Sequence, residues 1–244
     1  MDLKGKTALV TGAAKRIGRE IALALGGRGC RVLIHYHSSQ AEARDLAEIL
    51  RSKKCEAELI SADLSQTEAV QAMAGKILED FGAVDLLVNN ASAFYPTPMG
   101  SVQDKDWDLF LSMHLKAPFF LAQSLAPAMK KKGAGRIVNM ADLSGFRPMT
   151  GYLPYSVSKG GLISLTKGLA KALAPEVLVN AVCPGAILAP PGFPEKDREK
   201  ITQKIPVGHW GDPREVARTV VFFAESDYIT GQCLVMDGGE SLKS

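Results

Sequence analysis

The chain lacks a disulfide or metal-site pattern. Its four cysteines, Cys30, Cys55, Cys183 and Cys233, are widely spaced and form no CxxC pair. They read as reduced, core-filling thiols of a cytosolic protein, with no metal expected. No apolar run reaches membrane-spanning length, and MDLKGKTALVTG at the N-terminus has no signal-peptide layout, so neither a membrane nor export is expected. A formal charge of +3 is too mild to argue for nucleic acid, although it suits an anionic small molecule. Internal repeats and low-complexity segments are absent. No acid follows the second apolar run before Glu42, and that absence matters below. What remains is 244 residues, one α/β-sized domain with ample length for a buried core.

Short apolar runs alternate with helical periodicity throughout, which predicts a single doubly wound parallel sheet of about seven strands, Rossmann-type, spanning 1–244. The first unit is Lys6–Thr11, then TGAAKRIG, then a helical pattern from Arg19 to Arg28. Strand, glycine-containing turn and helix form a phosphate-binding layout, in which helix N-terminal amides face a pyrophosphate. Gly12, Ile17 and Gly18 are its candidates. The usual three-glycine spacing is incomplete, because Arg16 stands at the middle position. Its guanidinium either reaches a phosphate or substrate or is simply solvated at the helix start.

The second strand, Arg31–His37, ends where an enzyme preferring NAD usually places an acid, roughly 20 residues beyond the glycine turn. Here Tyr36 stands eighteen residues after Gly18, followed by His37, Ser38 and Ser39. These offer donors and no carboxylate to repel a 2′-phosphate, so NADPH is favoured. Asp63, just past a third strand (Cys55–Ile60), could hold an adenine edge or cap the helix Gln66–Phe81. Asn90 and Ala91 follow a fourth strand, Val84–Val88, where small and amide residues let the backbone approach a ligand closely. Asp104–Lys132 reads as one long helical segment, with Pro118 demanding a local adjustment. The fifth and sixth strands are Arg136–Met140 and Val177–Val182. The stretch 184–211, rich in Pro, Gly and charge, reads as a substrate lid with a short helix. A helix Asp212–Ala224 and a last strand, Gln232–Met236, close the pattern.

Tyr155 and Lys159 stand four residues apart at the start of a helical pattern, so they share one face. A neighbouring ammonium favours phenolate and is expected to draw the Tyr pKa down from about 10, towards the range of a general acid. Alone, a YxxxK spacing describes two residues on a helix surface. Here it follows a nucleotide-binding pattern.

TGAAKRIG, NNA at Asn89–Ala91, YxxxK at Tyr155–Lys159, PG at Pro184–Gly185 and the closing ITGQCLVMDGG occur in the order of the short-chain dehydrogenase/reductase family, which the whole chain resembles. The resemblance implies a nicotinamide cofactor, Tyr155 as acid/base, and Lys159 holding the ribose while lowering the Tyr pKa. It also implies a homotetramer. There are two departures. Asp142 occupies the place of the family's serine, thirteen residues before Tyr155, and His114 replaces an Asn whose helix distortion and main-chain carbonyl serve a proton relay.

Arg16, HYHSS at His35–Ser39, NNASAFYPTP at Asn89–Pro98 and Asp142 together resemble the pteridine reductases within that family, although Ser38 stands where that group often has Arg. This resemblance implies Phe94 as a lid stacking a pterin against the nicotinamide, with Ser92 and Arg16 as polar contacts. The catalytic expectation is therefore Asp142, Tyr155 and Lys159 reducing a C=N bond of a pterin, dihydropterin or dihydrofolate. Asp142 also has a plainer reading, as the cap of a turn after a strand. The rivals in function are a carbonyl reductase such as 3-oxoacyl-acyl-carrier-protein reductase and a cofactor-sensing protein without turnover.

Overall fold

The computed structural model describes residues 1–190 and 192–243; Pro191, inside the expected lid, and Ser244 lie outside the described residues. Seven strands form one parallel sheet in the order β3-β2-β1-β4-β5-β6-β7. They are β1 (Thr7–Val10), β2 (Arg31–Tyr36), β3 (Ala57–Ser61), β4 (Leu86–Asn89), β5 (Gly135–Met140), β6 (Val177–Pro184) and β7 (Cys233–Met236). The expected architecture is present, with strand ends shifted by at most two residues. The central strands read as unbroken apolar runs because both faces are covered.

The helices are α1 (Arg16–Gly27), α2 (Gln40–Ser52), α3 (Thr67–Phe81), α4 (Asp104–Leu111), α5 (Ala117–Lys131), α6 (Leu153–Leu173), α7 (Glu195–Thr202) and α8 (Pro213–Glu225). Period-2 alternation divides the sheet between two cores. Ala8 and Val10 pack with Ile21 and Leu25 of α1, Leu46 and Leu50 of α2 and Val220 of α8. Leu9 packs oppositely with Ile77 of α3, Leu125 of α5 and Leu169 of α6. Each such fully buried aliphatic stabilises the fold by roughly 1.5–3 kcal/mol. Cys30, Cys55 and Cys183 are buried free thiols, as expected, and Cys233 is half-buried.

The expected single helix over 104–132 is divided. A π-helical turn, Ser112–Lys116, separates α4 from α5, and Pro118 falls in the first turn of α5 rather than in a helix interior. The backbone stays right-handed α through Leu111, Lys116 and Ala117, so the π turn is the expected local adjustment within a continued helix, lying just upstream of the proline and around His114. The 184–211 stretch contains α7 as its short helix, and Ile187 and Ile205 anchor it in the core.

Candidate active site

In an open α/β sheet the crevice forms beyond the carboxyl ends of the strands, where the order reverses between β1 and β4. All the expected site residues lie at or just after those ends. The β1–α1 turn and the end of β4 close on one another without room for side chains. A Cβ on Gly12, whose φ is +62°, would sit 2.8 Å from Ala91 Cα, and one on Gly18 would run into the Gly12 carbonyl and the Asn90 amide. The Asn90 side chain donates to the Thr11 and Gly12 carbonyls at 2.8 and 3.1 Å, while the Thr11 hydroxyl accepts from the Asn90 and Ala91 amides. Helix α1 opens with no side-chain cap, so its first amides, near Ile17 and Gly18, are left to the turn. On the far side, a Cβ on Gly185 would meet Asp237 at 2.8 Å. Backbone held this close, with helix amides facing the crevice, fits a dinucleotide pyrophosphate.

Arg16 does something the sequence did not foretell. It occupies the left-handed region at φ +54°, which explains why that place so often takes glycine; a side chain there costs roughly 1–2 kcal/mol. Its guanidinium donates to the Leu188 and Ala189 carbonyls at 2.8 and 3.1 Å. Arg16 is exposed, with its guanidinium tied to the 184–211 segment after β6.

Beyond β2, Tyr36 is half-buried and His37 and Ser38 are exposed, with Ser39 preceding α2. No carboxylate stands at this end. Asp63 accepts from the Ser65 amide and hydroxyl at 2.9 and 2.8 Å. Burial works against its charge, yet these bonds hold its carboxyl below the usual range. Asp63 thus closes the turn before α3 and does not cap the helix itself, whose N-cap is Gln66 with no side-chain bond. His35, absent from the expected site, is the tie between β2 and the glycine turn. Its Nδ1 accepts from the Gly12 amide at 3.0 Å, which leaves Nε2 to donate to the Ala62 carbonyl at 3.2 Å. Burial lowers its pKa to about 4, keeping the ring neutral and the acceptor present.

Across the crevice, β5 ends in Asp142. One carboxylate oxygen accepts from the Ser144 amide at 2.7 Å, and the other accepts from the Tyr155 hydroxyl at 2.9 Å. Asp142 caps the turn with one oxygen and meets the Tyr155 hydroxyl with the other. Ser144, in contrast, has its hydroxyl buried without a partner, so Asp142 is the residue that meets Tyr155. Lys159, fully enclosed, donates to the Met140 carbonyl at 2.7 Å and stands 5.6 Å over the Tyr155 ring. Burial pushes its pKa down to about 8, against the pull of Asp142.

One expectation is overturned in direction. Tyr155 is raised well above its ordinary value, first by burial and then by the charge and hydrogen bond of Asp142. Burial is the larger cause and the carboxylate at 2.9 Å adds to it, so the phenol is kept protonated. Phe94 stacks on Tyr152, with centroids 4.6 Å apart and planes 6° from parallel, and meets Tyr155 edge-on at 4.9 Å. At 45% exposure it is no core aromatic. Tyr152 was missed, although its place one helical turn before Tyr155 is a usable signal. Ser92 lies beside His114 at 3.0 Å.

A family model described as Enoyl-(Acyl carrier protein) reductase matches residues 12–241. The chain belongs to the short-chain dehydrogenase/reductase family. Among curated relatives, the 3-oxoacyl-acyl-carrier-protein reductase FabG of Staphylococcus aureus is 34% identical over 239 residues, covering 96% of this chain and 97% of the relative. FabG of Thermotoga maritima is 34% identical over 98% of this chain and 99% of the relative. Among solved structures, FolM alternative dihydrofolate reductase 1 from Brucella canis, complexed with NADP, superposes with a TM-score of 0.93 at 33% identity. It is covered to 96%, and this chain to 100%. Identity within the short-chain dehydrogenase/reductase family is thus nearly equal towards carbonyl and dihydrofolate reductases, so the substrate must be read from the site. Among the described residues no helix is long and apolar enough to cross a membrane, and no cluster of metal-binding side chains occurs.

Proposed function

We propose that this protein is an NADPH-dependent reductase of a pterin, dihydropterin or dihydrofolate ring. The observation that carries the reading is the 2.9 Å bond from the Tyr155 hydroxyl to Asp142. An alkoxide forming on a reduced ketone wants a neutral donor in that place, and a carboxylate there repels it. A C=N bond wants a proton on nitrogen, which a phenol backed by a carboxylate can deliver.

Gly12, Ile17, Gly18, Ala91 and Gly185 would hold the cofactor's pyrophosphate and nicotinamide ends, Asp63 its adenine edge and Lys159 its ribose. Tyr36, His37 and Ser38 would admit a 2′-phosphate. Bound NADPH supplies a hydride to a ring carbon. Tyr155 arrives protonated and gives its proton to the adjacent ring nitrogen. The charge left on its oxygen is offset by Lys159, whose ammonium survives at neutral pH with a pKa of about 8. Asp142 orients the phenol and, after taking a proton from solvent, would pass it to the phenolate as the replacement. Phe94 and Tyr152 offer aromatic faces to a flat bicyclic ring. The NADP complex of the Brucella canis FolM supports the cofactor and the substrate class together.

Assembly as a homotetramer belongs to the same proposal. Leu111, Leu115, Phe119 and Leu165 line an apolar cleft on α4, the π turn, α5 and α6, and light scattering on the purified protein measures the assembly directly.

The deciding assay follows NADPH oxidation with dihydropterins, dihydrofolate and an acetoacetyl thioester. The pterins should be reduced. Asp142→Ser should depress pterin turnover and leave ketone turnover equal or improved. A wild type that reduces the thioester readily and no pterin hands the site to the carbonyl-reductase reading, and one that oxidises no NADPH on any substrate favours a sensor.

A further inference from the structure

His114 sits in the π turn where α4 gives way to α5, buried against Tyr155, and both of its ring nitrogens are engaged. Nε2 lies 3.1 Å from the Ala93 amide and 3.0 Å from the Ser92 hydroxyl oxygen. An amide can only donate, so Nε2 carries a lone pair. Nδ1 lies 2.9 Å from the Ser158 hydroxyl, which gives its own proton to the Tyr155 carbonyl at 2.6 Å. Ser158 therefore accepts, and Nδ1 carries the hydrogen. The hydrogen bonds assign the tautomer without ambiguity, and burial, with the Lys159 charge, holds the ring neutral.

The consequence falls on Ser92, which is exposed to the crevice at the end of β4. Its single proton has acceptors on the protein side at His114 Nε2, 3.0 Å, and the Ala93 carbonyl, 3.2 Å. The phenol of Tyr155 is the competitor, since a Ser92 proton turned that way would favour its ionised form. With the Nε2 lone pair shared between the Ala93 amide and Ser92, and the Ala93 carbonyl beside it, the Ser92 proton is drawn inward and Ser92 faces the crevice with lone pairs.

We infer that His114 is a positioning residue that makes Ser92 a hydrogen-bond acceptor towards the substrate. The enzyme thereby selects a ring edge bearing N–H or NH₂ donors over a ketone, which brings only lone pairs. This rests on the pterin reading above and gives it a second discriminating element, independent of Asp142.

The test compares kcat/KM for a dihydropterin with kcat/KM for an acetoacetyl thioester, and takes their ratio. His114→Asn keeps a donor towards Ser158 but removes the acceptor beneath Ser92. His114→Gln returns an acceptor oxygen at the reach of Nε2. The Asn variant should lower the ratio about five- to tenfold, the worth of one neutral hydrogen bond, while NADPH affinity moves little. The Gln variant should recover most of the loss. Ser92→Ala should lower the ratio by a similar factor, and the double variant should add nothing further, because the two residues act through one bond. A proportional fall for both substrates, with the ratio intact in His114→Asn or in Ser92→Ala, overturns the inference and leaves the pterin reading standing. A wild type that reduces no pterin overturns that reading and this inference with it.

Discussion

The nucleotide end and the catalytic end of the crevice use equivalent strand-end positions but are held by different kinds of bond. Around Gly12 almost every contact terminates on main chain: His35 on the Gly12 amide, Asn90 on the Thr11 and Gly12 carbonyls, and the Thr11 hydroxyl on two amides. Around Tyr155 the deciding contacts join side chains, Tyr155 to Asp142 and Ser92 to His114 to Ser158. A phosphate is grasped by the geometry of amides, which a close-packed backbone supplies. A proton leaves from one oxygen, whose acidity is set by its neighbours. The first region should therefore be intolerant of added volume and the second of altered functional groups.

The most severe test of that contrast is Tyr155→Phe, which keeps the ring and removes the oxygen. Turnover should fall by ~10²–10⁴-fold, the usual contribution of general acid–base transfer. NADPH affinity, followed by fluorescence titration, should hold. Turnover close to wild type would take Tyr155 out of the mechanism.

Acid should next expose the two buried histidines, one in each region. His35 falls from 6.5 to about 4 on folding, so the unfolded chain binds the proton first. Stability is full above pH about 6.5 and declines as pH falls towards about 4, by roughly 3 kcal/mol for this residue alone. His114, also lowered by burial, adds to the same limb. Denaturant midpoints across this range should fall, and His35→Gln should flatten the decline. A midpoint independent of pH there shows that neither ring resists protonation.

Gly18→Ala probes volume without touching chemistry. The added methyl collides with the Gly12 carbonyl and the Asn90 side chain, and overpacking of this kind costs about 1–3 kcal/mol. Melting temperature should drop, and the stabilisation conferred by NADPH should shrink with it. An unchanged melt would mean that the turn is less close-packed than its contacts imply.

The smallest effect belongs to Phe94→Ala. Losing one stacking face is worth about 0.5–1.5 kcal/mol beyond lost area. The pterin KM should rise several-fold with NADPH affinity spared, and a rise in both would place Phe94 on the cofactor instead.

Much of the scaffold was legible from local pattern. VDLLV lacks alternation, and a strand covered on both faces buries its Leu86, Leu87 and Val88 so. The glycines after β1 mark a turn that a side chain would block. Tyr155 and Lys159 were marked by their four-residue spacing behind a nucleotide-binding pattern, and Asp142 by the resemblance to the short-chain dehydrogenase/reductase family, whose serine it replaces. His35 was not legible as a site residue, because its partner amide lies 23 residues earlier in the chain and nothing local marks the pairing. The tie made by Arg16 was not legible for a related reason: its two acceptors lie in a segment more than 170 residues away.

What the sequence determined by itself was the order of elements, the backbone places where volume is forbidden and the identities of the proton-bearing groups. These depend on side-chain period and residue chemistry, which are local properties. Only the tertiary structure decided the direction of the Tyr155 shift. The ammonium at Lys159 was expected to lower it. Packing instead ties Lys159 to the Met140 carbonyl, buries the phenol, which is the main cause of the rise, and sets Asp142 on it, which adds to the rise. Tautomer and hydroxyl orientation at His114 and Ser92 are likewise products of packing, since each is assigned by partners from a different element.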